Sequence, residues 1–159
     1  TYDFPSDIAM LLYSYNSMYD WNRPLLDFFN EPYAGRIPVL FNGEYNRQEI
    51  NQQLTNNLDI FLNNDFLNNL RSHSDDELVL ITALSNNSVN NWTPKSLLSI
   101  IHGRNDEIIP FSDSEETYDK MVANGSTSVT FTPIETGGHV DSGIEFIEIA
   151  VLWFNSLNP

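Results

Sequence analysis

The sequence predicts an α/β chain in which a helical region over residues 1–94 is followed by strand, helix, strand and helix over residues 95–159. Three observations carry that prediction. In the first region apolar residues recur at helical spacing, as at Ile50, Leu54, Leu58, Phe61 and Leu62, the period that gives a helix one buried face. "SLLSII" (96–101) is a short, nearly continuous apolar run, the pattern of a strand covered on both faces in a parallel sheet. "SVTFTPI" (128–134) is a second β-rich run, and strands alternating with helical stretches favour parallel pairing.

Each element has its own signal. "IAMLLYSYNSMYD" (8–20) is apolar or aromatic on most sides, as a helix buried between neighbours is. The stretch from Arg23 to Phe41 is interrupted by Pro24, Pro32, Gly35 and Pro38, which predicts short helices and turns. Residues 46–71 read as one amphipathic helix or a pair, and "DDELVLITALSNNSV" (75–89) as another helix. "NNWTPKS" (90–96) is a turn-forming bridge. After the first strand, Ser112 stands three residues before Glu115, a capping box that opens a helix stopped by Gly125. Ile144, Ile147, Val151 and Phe154 form one stripe of the closing helix. The many asparagines read as polar loops.

Composition narrows the function classes. The 159 residues are 41% hydrophobic, enough for one sizeable core. Twenty-two acidic residues oppose seven basic ones, for a net charge of -15. With the Lys and Arg scattered, the surface repels polyanions, which disfavours nucleic acid and anionic membrane as partners. The sequence has no Cys, so disulfides, thiolate metal sites and a Cys nucleophile are excluded. No apolar run reaches the roughly 18 residues of a membrane span. The chain opens on Thr rather than Met and is expected to be part of a longer one.

The chemistry-bearing residues lie beyond the two strands. Open α/β sheets place ligands outside the carboxyl ends of their strands. Asp106, in "IIHGRNDEIIPF" (100–111), follows the first strand, and His139, in "ETGGH" (135–139), follows the second. Neighbouring parallel strands bring these loops side by side, where an Asp-His hydrogen bond is natural. In hydrolytic catalysis such a carboxylate fixes the imidazole tautomer and stabilises the imidazolium formed when His takes a proton from a nucleophile.

At these residues the chain resembles a family. "HGRNDEIIPFSDSEETYDKM", "GSTSVTFTPIETGGH" and the closing helix look like the carboxyl-terminal part of a serine α/β-hydrolase of the carboxylesterase, lipase and prolyl-oligopeptidase-like kind. "SYNSMYD", "FFNEPYAGRIPVLFNGEYN", "INQQLTNNL" and "NNSVNNWTPKS" are similar to the helical insertion and bridge of bacterial secreted relatives of these esterases. The resemblance implies a partial α/β-hydrolase fold, a helical cap followed by the last two strands. It makes Asp106 the triad acid, with Ile109 where Val is frequent in the motif, and His139 the general base. It favours a secreted or cell-envelope location. As a cap, the first region would turn some aromatic side chains toward an ester substrate, and Tyr15, Tyr19 and Trp21 are the candidates. No metal or organic cofactor is implied.

The chain departs from the family at the nucleophile. No Gly-x-Ser-x-Gly elbow occurs in it, and in these hydrolases the order is Ser, acid, His. "NGSTS" around Ser126 lies between a helix and a strand, and "VDSGI" around Ser142 follows the base. Neither suits a nucleophile. The elbow, the oxyanion-hole loop and the first six strands are therefore expected upstream of Thr1. The chain alone is expected to be inactive, and either to self-associate or to be held by that amino-terminal half. The alternative is a non-enzymatic binding module that keeps a hydrolase-like tail.

Several residues carry a plainer reading. His102 sits in the turn, where local hydrogen bonding is its expected role, and His73 in "RSHSDD" reads as a solvated loop residue. Glu107 and Glu135 read as solvated neighbours of the strand ends. Asp75, Asp76 and Glu77 are consecutive, without EF-hand spacing, and read as a solvated helix start. Sequons at Asn86, Asn91 and Asn124 are expected by chance in so Asn-rich a chain.

Overall fold

The computed structural model describes residues 2–157 and divides into two units, Thr1–Ser85 and Asn86–Pro159. The sequence reading draws its boundary after residue 94; the first unit closes near the end of its last helix.

In the first unit, Pro5 opens α1 (Pro5–Met18), a position where its missing N–H costs nothing. A short 3₁₀ turn follows at Leu25–Asp27, then α2 (Tyr33–Leu40). The stretch is short helices and turns, as predicted, but Gly35 and Pro38 lie inside α2 and do not break it. The helix is only two turns long, and Ala34, Ile37 and Leu40 are buried from it; packing outweighs the loss of one backbone hydrogen bond.

The single or paired amphipathic helix expected over residues 46–71 is three short helices, α3 (Arg47–Asn51), α4 (Leu58–Phe61) and α5 (Asn64–Ser72). The reason is the asparagines. Asn46 accepts from the backbone N–H groups of Gln48 and Glu49, and the Glu49 carboxylate in turn accepts from the Asn46 N–H. Asn57 accepts from Asp59 N–H, and Asn63 from Asp65 and Phe66 N–H. Each of these caps sits in an extended conformation, which satisfies unpaired donors and restarts the helix. Residues read as polar loop therefore punctuate the chain. His73 ends α5 in the left-handed conformation (φ 53°).

A second 3₁₀ turn (Asp75–Glu77) leads into α6 (Leu78–Asn86). Here another expectation is corrected, because Glu77 is buried and not solvated. Its carboxylate accepts two hydrogen bonds from the Arg23 guanidinium, at 2.7 and 2.9 Å, the bidentate geometry that makes burial of a charge tolerable. Phe28, Phe29, Ile37, Phe61 and Leu80 form the heart of the core, with Phe28 edge-on to Phe66 at 5.4 Å between ring centres.

In the second unit, β1 (Leu98–Gly103) pairs in parallel with β2 (Val129–Ile134) from Leu98↔Val129 to Gly103↔Ile134. The connection is α7 (Phe111–Ala123), and α8 (Gly143–Ser156) follows β2. The fold is thus an α/β one, with a helical part and two parallel strands. The capping box expected at Ser112 does not form: Pro110 occupies the N-cap, and Ser112 lies within α7. The first turn is fixed instead by Phe111, whose ring packs 5.3 Å from Phe131 and 5.8 Å from His102. At the other end Gly125 is left-handed (φ 86°), with Ser126 N–H bonded to Met121 O and Gly125 N–H to Val122 O, the Schellman closure expected of that glycine.

Two features depart from the picture of a strand covered on both faces. β1 is only partly buried up to Gly103. The α8 stripe faces outward within its unit, with Ile144 at 77% and Phe154 at 61% exposure and Ile147 and Val151 also open.

Candidate active site

The ends of β1 and β2 are in register at Gly103 and Ile134, so the loops leaving them run side by side. Arg104 N–H donates to Ile134 O at 2.8 Å and Asn105 N–H to Gly137 O at 3.1 Å. The glycines permit this approach. A Cβ at Gly103 or at Gly137 would fall on Ser142 Oγ, and that hydroxyl donates to Gly138 O at 2.6 Å. "HG" and "GG" are thus the residues that let the two loops and the start of α8 close on one another.

Asp106 lies in the floor of this junction, its side chain 6% exposed. Oδ1 accepts from the backbone N–H groups of Ile108 and Ile109, at 2.9 and 2.8 Å. Oδ2 accepts from His139 Nδ1 at 2.9 Å and from His102 Nε2 at 3.0 Å, and His139 Nδ1 also lies 3.2 Å from Oδ1. Burial pushes the carboxyl pKa up, but the bonds from Ile109 N–H, His139, Ile108 N–H and His102 outweigh it and hold the group well below the usual carboxylate range. The ion is therefore the resident form.

An ionised carboxylate only accepts, so His139 carries its proton on Nδ1 and leaves Nε2 free to take one. Its side chain is 41% exposed, open enough to meet another group, and its backbone N–H is held by Glu107 Oε2 at 3.1 Å. Beside the pair is a cavity of about 270 Å³, walled by Ile101, Ile109, Ile134 and Phe146 together with the two histidines and Asp106. This arrangement can orient an imidazole, hold one tautomer and stabilise its protonated form.

Residues 65–156 match the family model described as secretory lipase. The chain belongs to the secretory lipase family. The matched segment contains α7, both strands and α8, and so both Asp106 and His139. No curated protein sequence matches the chain.

Solved structures extend the likeness to the fold. A Legionella pneumophila protein assigned provisionally as a hydrolase superposes with a TM-score of 0.79 at 21% identity, over 94% of this chain and 40% of its own. The rice cell wall degrading esterase LipA from Xanthomonas oryzae superposes with a TM-score of 0.69 at 16% identity, over 85% of this chain and 35% of its own. This secretory lipase family chain therefore spans well under half the length of either structure.

The candidates chosen from the sequence fall into two groups. Asp106 and His139 are brought together in the second unit. Tyr15, Tyr19 and Trp21 are brought together in the first, with Tyr19 stacked on Trp21 at 5.5 Å and Tyr15 edge-on to Tyr19 at 5.4 Å. His102 does make the local hydrogen bonds expected of it, but one of its partners is Asp106. The signal was the four-residue spacing of His102 and Asp106 across the turn. Glu107 and Glu135 are exposed, as read, and each also has a partner: Glu107 the His139 backbone, Glu135 Arg104 in a bidentate pair at 2.9 and 3.2 Å. The sequon asparagines Asn91 and Asn124 bond to each other at 2.8 Å.

Proposed function

We propose that this chain is the cap and carboxyl-terminal part of a secreted or cell-envelope serine hydrolase acting on carboxylic esters, with Asp106 as triad acid and His139 as general base. The observation that carries the proposal is the 2.9 Å His139 Nδ1–Asp106 bond beyond two parallel strands, in a chain of the secretory lipase family. Tyr15, Tyr19 and Trp21 are assigned to the substrate-facing wall of the cap, on the resemblance alone.

In the proposed reaction, a Ser supplied upstream attacks the ester carbonyl carbon while its hydroxyl proton passes to His139 Nε2. Asp106 holds the ring and stabilises the imidazolium. Collapse of the tetrahedral intermediate returns that proton from His139 to the leaving alcohol, and water then releases the acid by the same base. The residues of this chain need to supply only orientation and proton transfer.

The test is hydrolysis of a short-chain aryl ester by this chain and by the protein encoded with its upstream sequence. The longer protein should turn over and lose about 10³-fold or more in kcat in His139→Ala, while this chain alone is inactive. Turnover by the pure chain that disappears in His139→Ala would refute the assignment of the nucleophile. An upstream sequence without a strand, Gly-x-Ser-x-Gly and helix would favour the binding-module reading.

A further inference from the structure

Asp106 has a second imidazole that the proposed reaction does not use. His102 projects from β1, its side chain 10% exposed, and its two ring nitrogens are both engaged. Nε2 lies 3.0 Å from Asp106 Oδ2, the same oxygen that His139 reaches, and Nδ1 lies 2.6 Å from Ser114 Oγ on α7. An ionised Asp106 offers no proton, so in the neutral ring Nε2 is the donor and Nδ1 the acceptor. The Ser114 hydroxyl then donates to Nδ1. The result is one directed chain, Ser114 to His102 to Asp106, meeting His139 at the carboxylate.

The ring also has an aromatic neighbour. Phe111 packs 5.8 Å from it, and the Arg104 guanidinium lies over the Phe111 ring at 4.5 Å. Arg104 is itself paired with Glu135, and the other charged neighbour, Glu107, is turned to the His139 backbone. The strand, the turn and α7 therefore each contribute to holding His102, and His102 in turn holds one oxygen of Asp106.

We propose that His102 and Ser114 are positioning residues that act on His139 through Asp106, fixing the carboxylate rotamer so that Oδ2 stays the nearer of its two oxygens to the base. The inference rests on the reading of Asp106 and His139 as acid and base. It assigns His102 no contact with substrate, and it makes Ser114, rather than a cap residue of α7, the functional serine of that helix. The backbone N–H groups of Ile108 and Ile109 hold only Oδ1, so without His102 the second oxygen is anchored by His139 alone.

The test is NMR of the full chain with ¹⁵N-labelled imidazoles and ¹³C-labelled Asp carboxyls. In the unaltered chain His102 should show the Nε2–H tautomer at neutral pH. His102→Phe removes a donor that favours the charged carboxylate, so Asp106 should titrate at higher pH than in the unaltered chain. His102→Gln, whose amide can donate to the same oxygen, should restore the original titration. Should His102→Phe fail to fold, Ser114→Ala leaves the Nε2–H bond to Asp106 in place but frees the other ring nitrogen; the tautomer should persist, and Asp106 should titrate at higher pH than in the unaltered chain. A His102 Nδ1–H tautomer, an unchanged Asp106 titration in His102→Phe or in Ser114→Ala, or equal shifts in Phe and Gln variants would each overturn the proposal. Asp106→Asn separates the two readings: if the His139 Nδ1–H resonance survives there unchanged, the acid–base pair fails whatever His102 does.

Discussion

Four donors converge on Asp106, two from the backbone and two from imidazoles, and this sets a pH dependence of known sign. The folded carboxyl titrates below its unfolded counterpart. Its contribution to stability is therefore fully present above the unfolded carboxylate range, near pH 4, and is lost as pH falls through that range toward the lower folded value. Urea unfolding at pH 6 and pH 3 checks this: the drop in midpoint should be larger for the native chain than for Asp106→Asn. An equal drop in both would remove Asp106 from the account. Asp106 and His139 were legible in the sequence because position beyond a strand end is a topological property. The role of His102 was not, since it depends on which rotamers Ser114 and Phe111 permit once α7 docks.

At the scale of elements, what the sequence conceals is mostly side chains that reach far along the chain. Asp75, Asp76 and Glu77 look alike in sequence, yet only Glu77 meets Arg23, 54 residues away. Burial of that pair yields a prediction. Arg23→Ala leaves a buried carboxylate without its partner and should lower stability by roughly 3 kcal/mol, measured as a shift in the denaturation midpoint at unchanged slope. A change below about 0.5 kcal/mol would mean water satisfies Glu77. The short helices α3, α4 and α5 show the opposite limit. Their apolar spacing was visible, but asparagine at Asn46, Asn57 and Asn63 serves as a cap, and composition does not distinguish a cap from a loop. The strands were legible because an apolar run of that length, bounded by turn residues, has few other uses.

For the molecule as a whole, α8 carries the consequence. Its stripe of Ile144, Ile147, Val151 and Phe154 is exposed within its unit, and β1 and β2 form a two-stranded sheet among the described residues. Two parallel strands are marginal unaided, and an apolar face of this kind invites a cover. We propose that the upstream part of the hydrolase supplies it. This chain alone should then sediment as an oligomer, and Ile147→Asp with Phe154→Asp should shift it toward monomer. A dispersed monomer with strong hydrogen-exchange protection throughout would contradict that proposal. No sequence pattern in the chain states what lies against α8, because an amphipathic stripe records a buried face and not the identity of its partner.

The most direct test of the central claim, that Asp106 and His139 are one catalytic unit, is the kcat of Asp106→Asn in the intact protein on a short-chain aryl ester. Asparagine can still accept from the Ile108 and Ile109 N–H groups, so the turn keeps its shape while the imidazole loses the charge that fixes its tautomer. The account predicts a fall of about 10³- to 10⁴-fold in kcat with KM little changed. Turnover within threefold of the unaltered enzyme would contradict it.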